Sequence, residues 1–311
     1  MPPVRLFPVP GTGPEDVAVD VDGRVYAGLV DGTLVRLPAG GGPPEVVGRT
    51  GGRPLGIEID AAGHLVVCDA QRGLLRVDPA TAQVRTLVAA GELVGGLPLR
   101  VCNNAAVAGD GTIYFSDSSQ RFELEHWKAD LLEHSGTGRL LRRDADGAVE
   151  VVLEGLQFAN GVALAADGSF VVVAETGGYR LTRRWLSGPR AGAVDRLAEN
   201  LPGFPDNLSL GSDGLIWIAM GSPRNALLDL LASRSPVLRR MVWALPAGLQ
   251  PKPADTVWVC AVDVAGELVH DLQATVDGFS MATGVRENAG TVWLGSLQGG
   301  AVAAFDLPAG G

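Results

Sequence analysis

Four oxygen-bearing side chains recur at one register in this sequence. Glu15, Asn103, Asn160 and Asp206 each stand eight residues before a turn-type glycine, respectively Gly23, Gly111, Gly168 and Gly214. The same count back from Gly63 and Gly290 reaches Leu55 and Ala282. Two carboxylates and two amides form an all-oxygen donor set, which suits a hard cation. Ca2+ accepts irregular sites of six to eight oxygens, whereas Mg2+ demands stricter geometry. The four histidines, His64, His126, His134 and His270, all miss the register, so zinc is not expected. Brought together in a partly dry channel, the carboxylates would raise each other's pKa, and a bound cation relieves that repulsion. Taken singly, Asn and Asp near strand starts are ordinary caps. Four in register with one turn favour a metal site at Glu15, Asn103, Asn160 and Asp206.

The elements that must position them are hairpins. "EDVAVDVDGRVYAGL" from Glu15, "LGIEIDAAGHLVVCD" from Leu55, "NNAAVAGDGTIYFSD" from Asn103, "NGVALAADGSFVVVAE" from Asn160 and "DNLSLGSDGLIWIAM" from Asp206 repeat one shape. "ATGVRENAGTVWLGS" from Ala282 is a weaker sixth copy. Each alternates apolar residues about a glycine-containing turn, the pattern of a β-hairpin. Further strands such as "GTLVRLP" and "GRLLRRD" fill the gaps, so each unit holds about four strands. The expected fold is all-β: a six-bladed β-propeller, one domain over residues 1–311. The innermost strands would carry the four donors to one height in the central channel. "VRLFPV" near the N-terminus is expected to join the last blade and close the ring, because an open edge strand is a liability. Leu and Trp spacings of three and four predict helical insertions at 121–135 in the third blade and 224–246 in the fifth. Either insertion packs against a blade edge or lids the channel.

Bulk properties narrow the function. The chain has 311 residues, 46% hydrophobic and 19% charged, with 43 glycines and 20 prolines spread along it. That is a globular composition rich in turns. A net charge of −10 without a basic cluster argues against nucleic-acid binding. Neither a signal-peptide-like run nor a membrane span is evident, so the reading is cytoplasmic, with no membrane partner and a small-molecule substrate. Cys68, Cys102 and Cys260 are odd in number and widely spaced, which predicts neither a disulfide framework nor a zinc pattern.

"GRLLRRD", "LEGLQFANGVALAADGSFVVVAETGGYRLTRRWLSGPRAG" and "LPGFPDNLSLGSDGLIWIA" resemble the strictosidine synthase-like proteins. These are related to gluconolactonase (senescence marker protein 30), paraoxonase and diisopropyl-fluorophosphatase. The resemblance is strongest over residues 138–219 and extends more weakly over the whole chain. It implies a six-bladed propeller holding Ca2+ on a Glu, two Asn and an Asp, which carry over to Glu15, Asn103, Asn160 and Asp206. It also exposes two departures. Many relatives have an Asp where this chain has Asn104, and an amide is no general base. The condensing plant enzyme handles its proton with a Glu near the last hairpin, whereas nothing between Asp277 and Glu287 is acidic here.

The expected activity is therefore hydrolysis of a lactone or another ester, phosphoesters included, with the cation as Lewis acid. Asp206 and Glu15 are the candidate nucleophile or base, and Asn104 joins the catalytic set as an orienting group. Asn104 and Asn207 would orient substrate or water. Glu175 and Asp117, just beyond the second strands of their hairpins, are either substrate-binding groups or salt-bridge partners. A non-hydrolytic biosynthetic enzyme and a binding propeller with a structural ion are the alternatives.

Overall fold

Alternation on both faces explains why these strands stack as blades. In the "FVVVAE" strand, Phe170, Val172 and Ala174 pack toward the following blade, while Val171 and Val173 pack toward the preceding one. Likewise Ile216, Ile218 and Met220 face one neighbour, and Trp217 and Ala219 face the other. A strand buried on both faces reads as a continuous apolar run with period-two sidedness.

The computed structural model describes residues 1–226, 229–230 and 254–308. Strand β1 (Arg5–Pro8) belongs to the last blade. Blade one is β2 (Val17–Val19), β3 (Val25–Gly28), β4 (Thr33–Leu37) and β5 (Glu45–Arg49). Blade two is β6 (Pro54–Ile59), β7 (Leu65–Asp69), β8 (Gly73–Val77) and β9 (Val84–Ala89). A two-stranded hairpin, β10 (Leu93–Val94) with β11 (Leu97–Pro98), precedes blade three. That blade is β12 (Cys102–Val107), β13 (Ile113–Asp117), β14 (Gly138–Arg143) and β15 (Val149–Leu156). Blade four is β16 (Ala159–Leu164), β17 (Phe170–Glu175), β18 (Arg180–Trp185) and β19 (Val194–Ala198). Blade five is β20 (Gly203–Leu210), β21 (Ile216–Pro223), β22 (Val257–Val262) and β23 (Leu268–Ala274). Blade six is β24 (Ala282–Asn288), β25 (Thr291–Ser296) and β26 (Ala301–Asp306), completed by β1. The pairing of Arg5 with Ala304 and Pro8 with Ala301 closes the ring as expected. The six inner turn glycines all have φ between 67° and 87°, a region that favours glycine.

Every pair of neighbouring blades shares one apolar cluster. Blades one and two meet through Tyr26, Leu34 and Leu65, and two and three through Val66, Leu74 and Phe115. Blades three and four meet through Tyr114, Leu140 and Val171, and four and five through Phe170, Ile216 and Trp258. Trp217, Val259 and Leu294 join five to six, and Val17, Val35 and Val302 join six to one.

Between β13 and β14 the chain makes a short 3-10 turn (Leu124–His126) and helix α1 (Trp127–Glu133). Ser135 Oγ donates to the buried Asp130 carboxylate at 2.6 Å, and Ser119 Oγ donates to it at 2.5 Å. These bonds tie α1 to the end of β13. The second expected insertion, 224–246, lies for the most part outside the described residues.

At the axis the inner strands approach so closely that side chains must alternate with glycine. A Cβ on Gly161 would lie 2.1 Å from the Leu208 amide nitrogen, and one on Gly56 would lie 2.6 Å from the Asn104 Cα. The polar residues in this layer bind one another. Asp16 Oδ2 accepts from the Asn104 side-chain amide at 3.0 Å and from the Ile57 backbone N–H at 3.2 Å. Asn104 Oδ1 accepts from the Val162 N–H at 2.8 Å. This belt links blades one to four.

Two substitutions check the packing at the axis. Gly161→Ala is expected to lower folding stability by about 3 kcal/mol, whereas Gly109→Ala, which meets nothing within 4 Å, should be near neutral. Asn104→Ala strands the buried Val162 N–H and half of Asp16, at an expected loss of about 2 kcal/mol. Urea denaturation of the variants measures both, and an unchanged midpoint for either Gly161→Ala or Asn104→Ala would contradict the assignment.

Candidate functional site

Backbone irregularity at the inner strands aims the candidate side chains. The ladder register slips between Cys102 and Ala105, Ala159 and Val162, and Pro205 and Leu208. Each slip brackets a donor and its successor: Asn103–Asn104, Asn160–Gly161 and Asp206–Asn207. A bulge re-aims side chains and breaks pairing. Here it sends the first residue of the couple toward the cavity and the second into the axis. Blade one reaches the same result without a slip, because Glu15 and Asp16 precede β2.

Glu15, Asn103, Asn160 and Asp206 all line one cavity of about 520 Å³. Its wall is largely apolar, with Leu55 from blade two, Phe158 and Phe204 from the entries to β16 and β20, and Leu131 from α1. The amide nitrogens are already engaged. Asn103 Nδ2 donates to Ser118 Oγ at 2.9 Å, and Asn160 Nδ2 donates to Asp206 Oδ1 at 2.6 Å. Asn160 Nδ2 also donates to Thr176 Oγ1 at 3.2 Å, so the amide nitrogen is held by two acceptors and its oxygen is turned away from them. Three buried oxygens then lack any hydrogen-bond partner: Glu15 Oε2, Asn103 Oδ1 and Asn160 Oδ1. Thr283 Oγ1 holds the Glu15 carbonyl at 2.8 Å, and Thr176 Oγ1 holds the Pro205 carbonyl at 2.7 Å, pinning the backbone next to two of the donors.

The electrostatics match this crowding. Burial pushes the Glu15 carboxyl well up, the Asp206 charge adds to the rise, and Arg53 opposes it. Burial lifts Asp206 to about 7 against the Asn160 hydrogen bond, with Asp16 adding a further push. Orphaned oxygens beside two strained carboxyls are what a hard cation would satisfy. The donor set is half amide; among the described residues no three His, Cys, Asp or Glu side chains gather as a metal-binding group.

The remaining sequence-derived candidates lie elsewhere. Asn104 does not line the cavity; it is 1% exposed and both its side-chain polar atoms are spent in the belt with Asp16 and Val162, so the structure does not bring it to substrate. Asn207 is fully buried beside Glu15, below the cavity surface. Both of its amide atoms lack a hydrogen-bond partner, which makes its Oδ1 a fifth oxygen that a cation could use. Glu175 binds Arg180 through two contacts of 2.7 Å and accepts the Gln157 N–H at 2.8 Å. Asp117 binds Arg139 at 2.7 Å and accepts the Val101 N–H at 2.8 Å. Both are salt-bridge partners that secure the chain entering the inner strand, and neither touches the cavity. Asp69 does the same in blade two, accepting the Arg53 and Gln71 N–H groups at 2.9 Å. Two residues of consequence escaped the sequence reading. Asp16 was legible only as the neighbour of Glu15, and Arg53, on the cavity wall, carries no register signal.

Comparison with known proteins agrees with the propeller and its family. The strictosidine synthase family model matches residues 103–189, and the strictosidine synthase-like N-terminal model matches residues 5–37. An adipocyte plasma membrane-associated protein of Salmo salar is 38% identical over 78% of this chain and 62% of its own length. The chain thus spans less than two thirds of that relative. The Danio rerio protein of the same name is 33% identical, covering 97% of this chain and 77% of its own length. Strictosidine synthase-like 10 of Arabidopsis thaliana is 33% identical, covering 95% and 86%. Among solved structures, a gluconolactonase of Xanthomonas campestris superposes with a TM-score of 0.70 at 18% identity, covering 98% of this chain and 89% of that one. A calcium-binding regucalcin of Agrobacterium tumefaciens gives 0.65 at 16%, covering 96% and 91%. At these identities the two structures share the fold. The expectation of a cytoplasmic protein is overturned, since the animal relatives are named for the plasma membrane. No helix among the described residues is long and apolar enough to cross a membrane. Identity of 33% across 77% and 86% of two relatives, with both family models matching, places the chain in the strictosidine synthase-like family.

Proposed function

We propose that this protein is a divalent-cation-dependent hydrolase of a lactone or another ester, with phosphoesters in the same class. The observation that supports this most is the set of partnerless buried oxygens of Glu15, Asn103 and Asn160, residues that line one cavity with Asp206. These four side chains, with Asn207 Oδ1 below them, would hold Ca2+, or Mg2+ or another divalent ion in its place. When bound, such an ion supplies Lewis acidity toward a carbonyl or phosphoryl oxygen. The chain's own residues do the rest. The Asn160 amide fixes one oxygen of Asp206, and no described residue donates to the other, Oδ2. Asp206 is thereby oriented to take a proton from an attacking water. No histidine lines the cavity among the described residues, so carboxylates are the proton acceptors at hand, Glu15 and Asp206 beside the Asn oxygens and the exposed Glu125 on the wall. Leu55, Phe158 and Phe204 exclude bulk water and strengthen every charge interaction at the floor. Blade six contributes Met281 and Thr283 to the cavity and no carboxylate, which weighs against a strictosidine-type condensation.

Three results are expected. Chelation should abolish turnover of a lactone and aryl-ester panel, and added Ca2+ should restore it; full activity in stripped protein would sink the proposal. Asp206→Ala should lower kcat/KM at least a hundredfold and remove the rise in Tm on adding Ca2+. A Ca2+-dependent Tm rise without turnover of any substrate would instead mark a binding propeller with a structural ion. The third result concerns pH. The folded Asp206 holds its proton up to about 7, whereas an unfolded Asp releases it near 4. Between these values the folded state binds more protons, so its stability falls as pH rises. The cation relieves this penalty. Its stabilisation, read as the rise in Tm, should therefore be larger at pH 8 than at pH 5; equal shifts would contradict the assignment.

A further inference from the structure

Arg53 is a buried cation without an ion-pair partner. It is 7% exposed and lines the cavity from the chain entering blade two. The other two buried arginines are paired, Arg139 with Asp117 at 2.7 Å and Arg183 with Asp195 at 2.8 Å. No described carboxylate oxygen comes within 4.0 Å of the Arg53 guanidinium. Residues outside the described set contain no Asp or Glu, so none of their side chains can supply one. Asp69 is near; its Oδ1 is committed to the backbone N–H groups of Arg53, Gln71 and Arg72, and its buried Oδ2 lacks a hydrogen-bond partner and does not reach the guanidinium. Nη1 donates to the carbonyls of Gly13 and Pro54 at 3.0 and 3.1 Å, which fixes the guanidinium against the chain leading to Glu15. No described residue accepts from Nε or Nη2.

A guanidinium cannot shed its proton, and burying it unpaired is costly. Glu15 is the neighbouring cavity charge, and a divalent ion held by Glu15 and Asp206 would consume both floor charges. The pocket would then keep the buried Arg53, with Lys128 and Arg224 outnumbering Glu125 elsewhere on its wall, beside apolar side chains such as Leu55, Leu131, Phe158 and Phe204. We propose that Arg53 is the anion-recognition residue of this cavity, and that its ligand is amphipathic, an apolar body bearing one oxyanion, carboxylate or phosphate monoester. The charge balance rests on the cation-dependent reading above; the missing ion pair of Arg53 does not.

The test is calorimetric binding of decanoate, decyl phosphate and 1-decanol to the Ca2+-loaded full chain. At least one anion should bind ten or more times tighter than decanol, with an affinity that falls as NaCl is added. The tighter of the two anions identifies the head group. Arg53→Gln should erase the margin for the anion and leave decanol unchanged, while Arg53→Lys should retain part of it. Decanol binding as tightly as both anions overturns the proposal. So does an anion affinity unchanged in Arg53→Gln, which would show that the cation alone holds the head group. If Arg53→Gln does not fold, the wild-type comparison and its salt dependence still decide. Anion binding without turnover of any ester would leave Arg53 in this role and defeat the hydrolase; turnover without anion preference would do the reverse.

Discussion

Six inner strands converge on one axis, and everything else in the molecule accommodates that crowding. Where two strands come within a side chain's width, one must be glycine, as at Gly56 and Gly161. A polar partner position then depends on the channel for its hydrogen bonds, which Asn207 lacks. Asp16 and Asn104 find theirs by binding each other and the amides of Ile57 and Val162. The layer above them does not close in the same way. Its amide nitrogens are engaged, and buried oxygens of residues that line the cavity are left without a hydrogen-bond partner. The difference between the two layers divides a structural plug from a site.

The blades themselves are ordinary packing. Strands such as β17 and β21 are apolar on both faces because both faces are interfaces, and separate clusters between neighbouring blades replace a single central core. That arrangement leaves the axis to polar groups, since the apolar surface is already buried between blades. Carboxylates at the second-strand ends, Asp69, Asp117 and Glu175, gather the backbone amides of the chain turning inward. They hold the donor-bearing bulges in place without contacting anything bound in the cavity.

The pattern of turns carried the architecture plainly. Six repeated hairpins with a glycine at fixed register required strands of one length around one axis, and the apolar alternation required neighbours on both faces. That Glu15, Asn103, Asn160 and Asp206 share one cavity was legible for the same reason, because equal spacing from a turn means equal height along the axis. The adjacent positions were not. Asn104 and Asn207 share a register and a residue type, yet one is fully hydrogen-bonded and the other is not. That outcome depends on whether the residue facing each across the channel offers a partner. Glu175 and Asp117 likewise read as site candidates or salt bridges, and the arrival of Arg180 and Arg139 from the next strand made them the latter.

By itself, the sequence determined the number of blades, the closing strand and the shared level of Glu15, Asn103, Asn160 and Asp206 at one cavity, because these follow from local periodicity and turn spacing. Only the tertiary structure decided which way each donor's amide turns, which polar residues the channel neutralises, and that Arg53 reaches the cavity wall without a carboxylate. Those are properties of contacts between blades. They arise from residues distant in the chain, and no spacing along one strand encodes them.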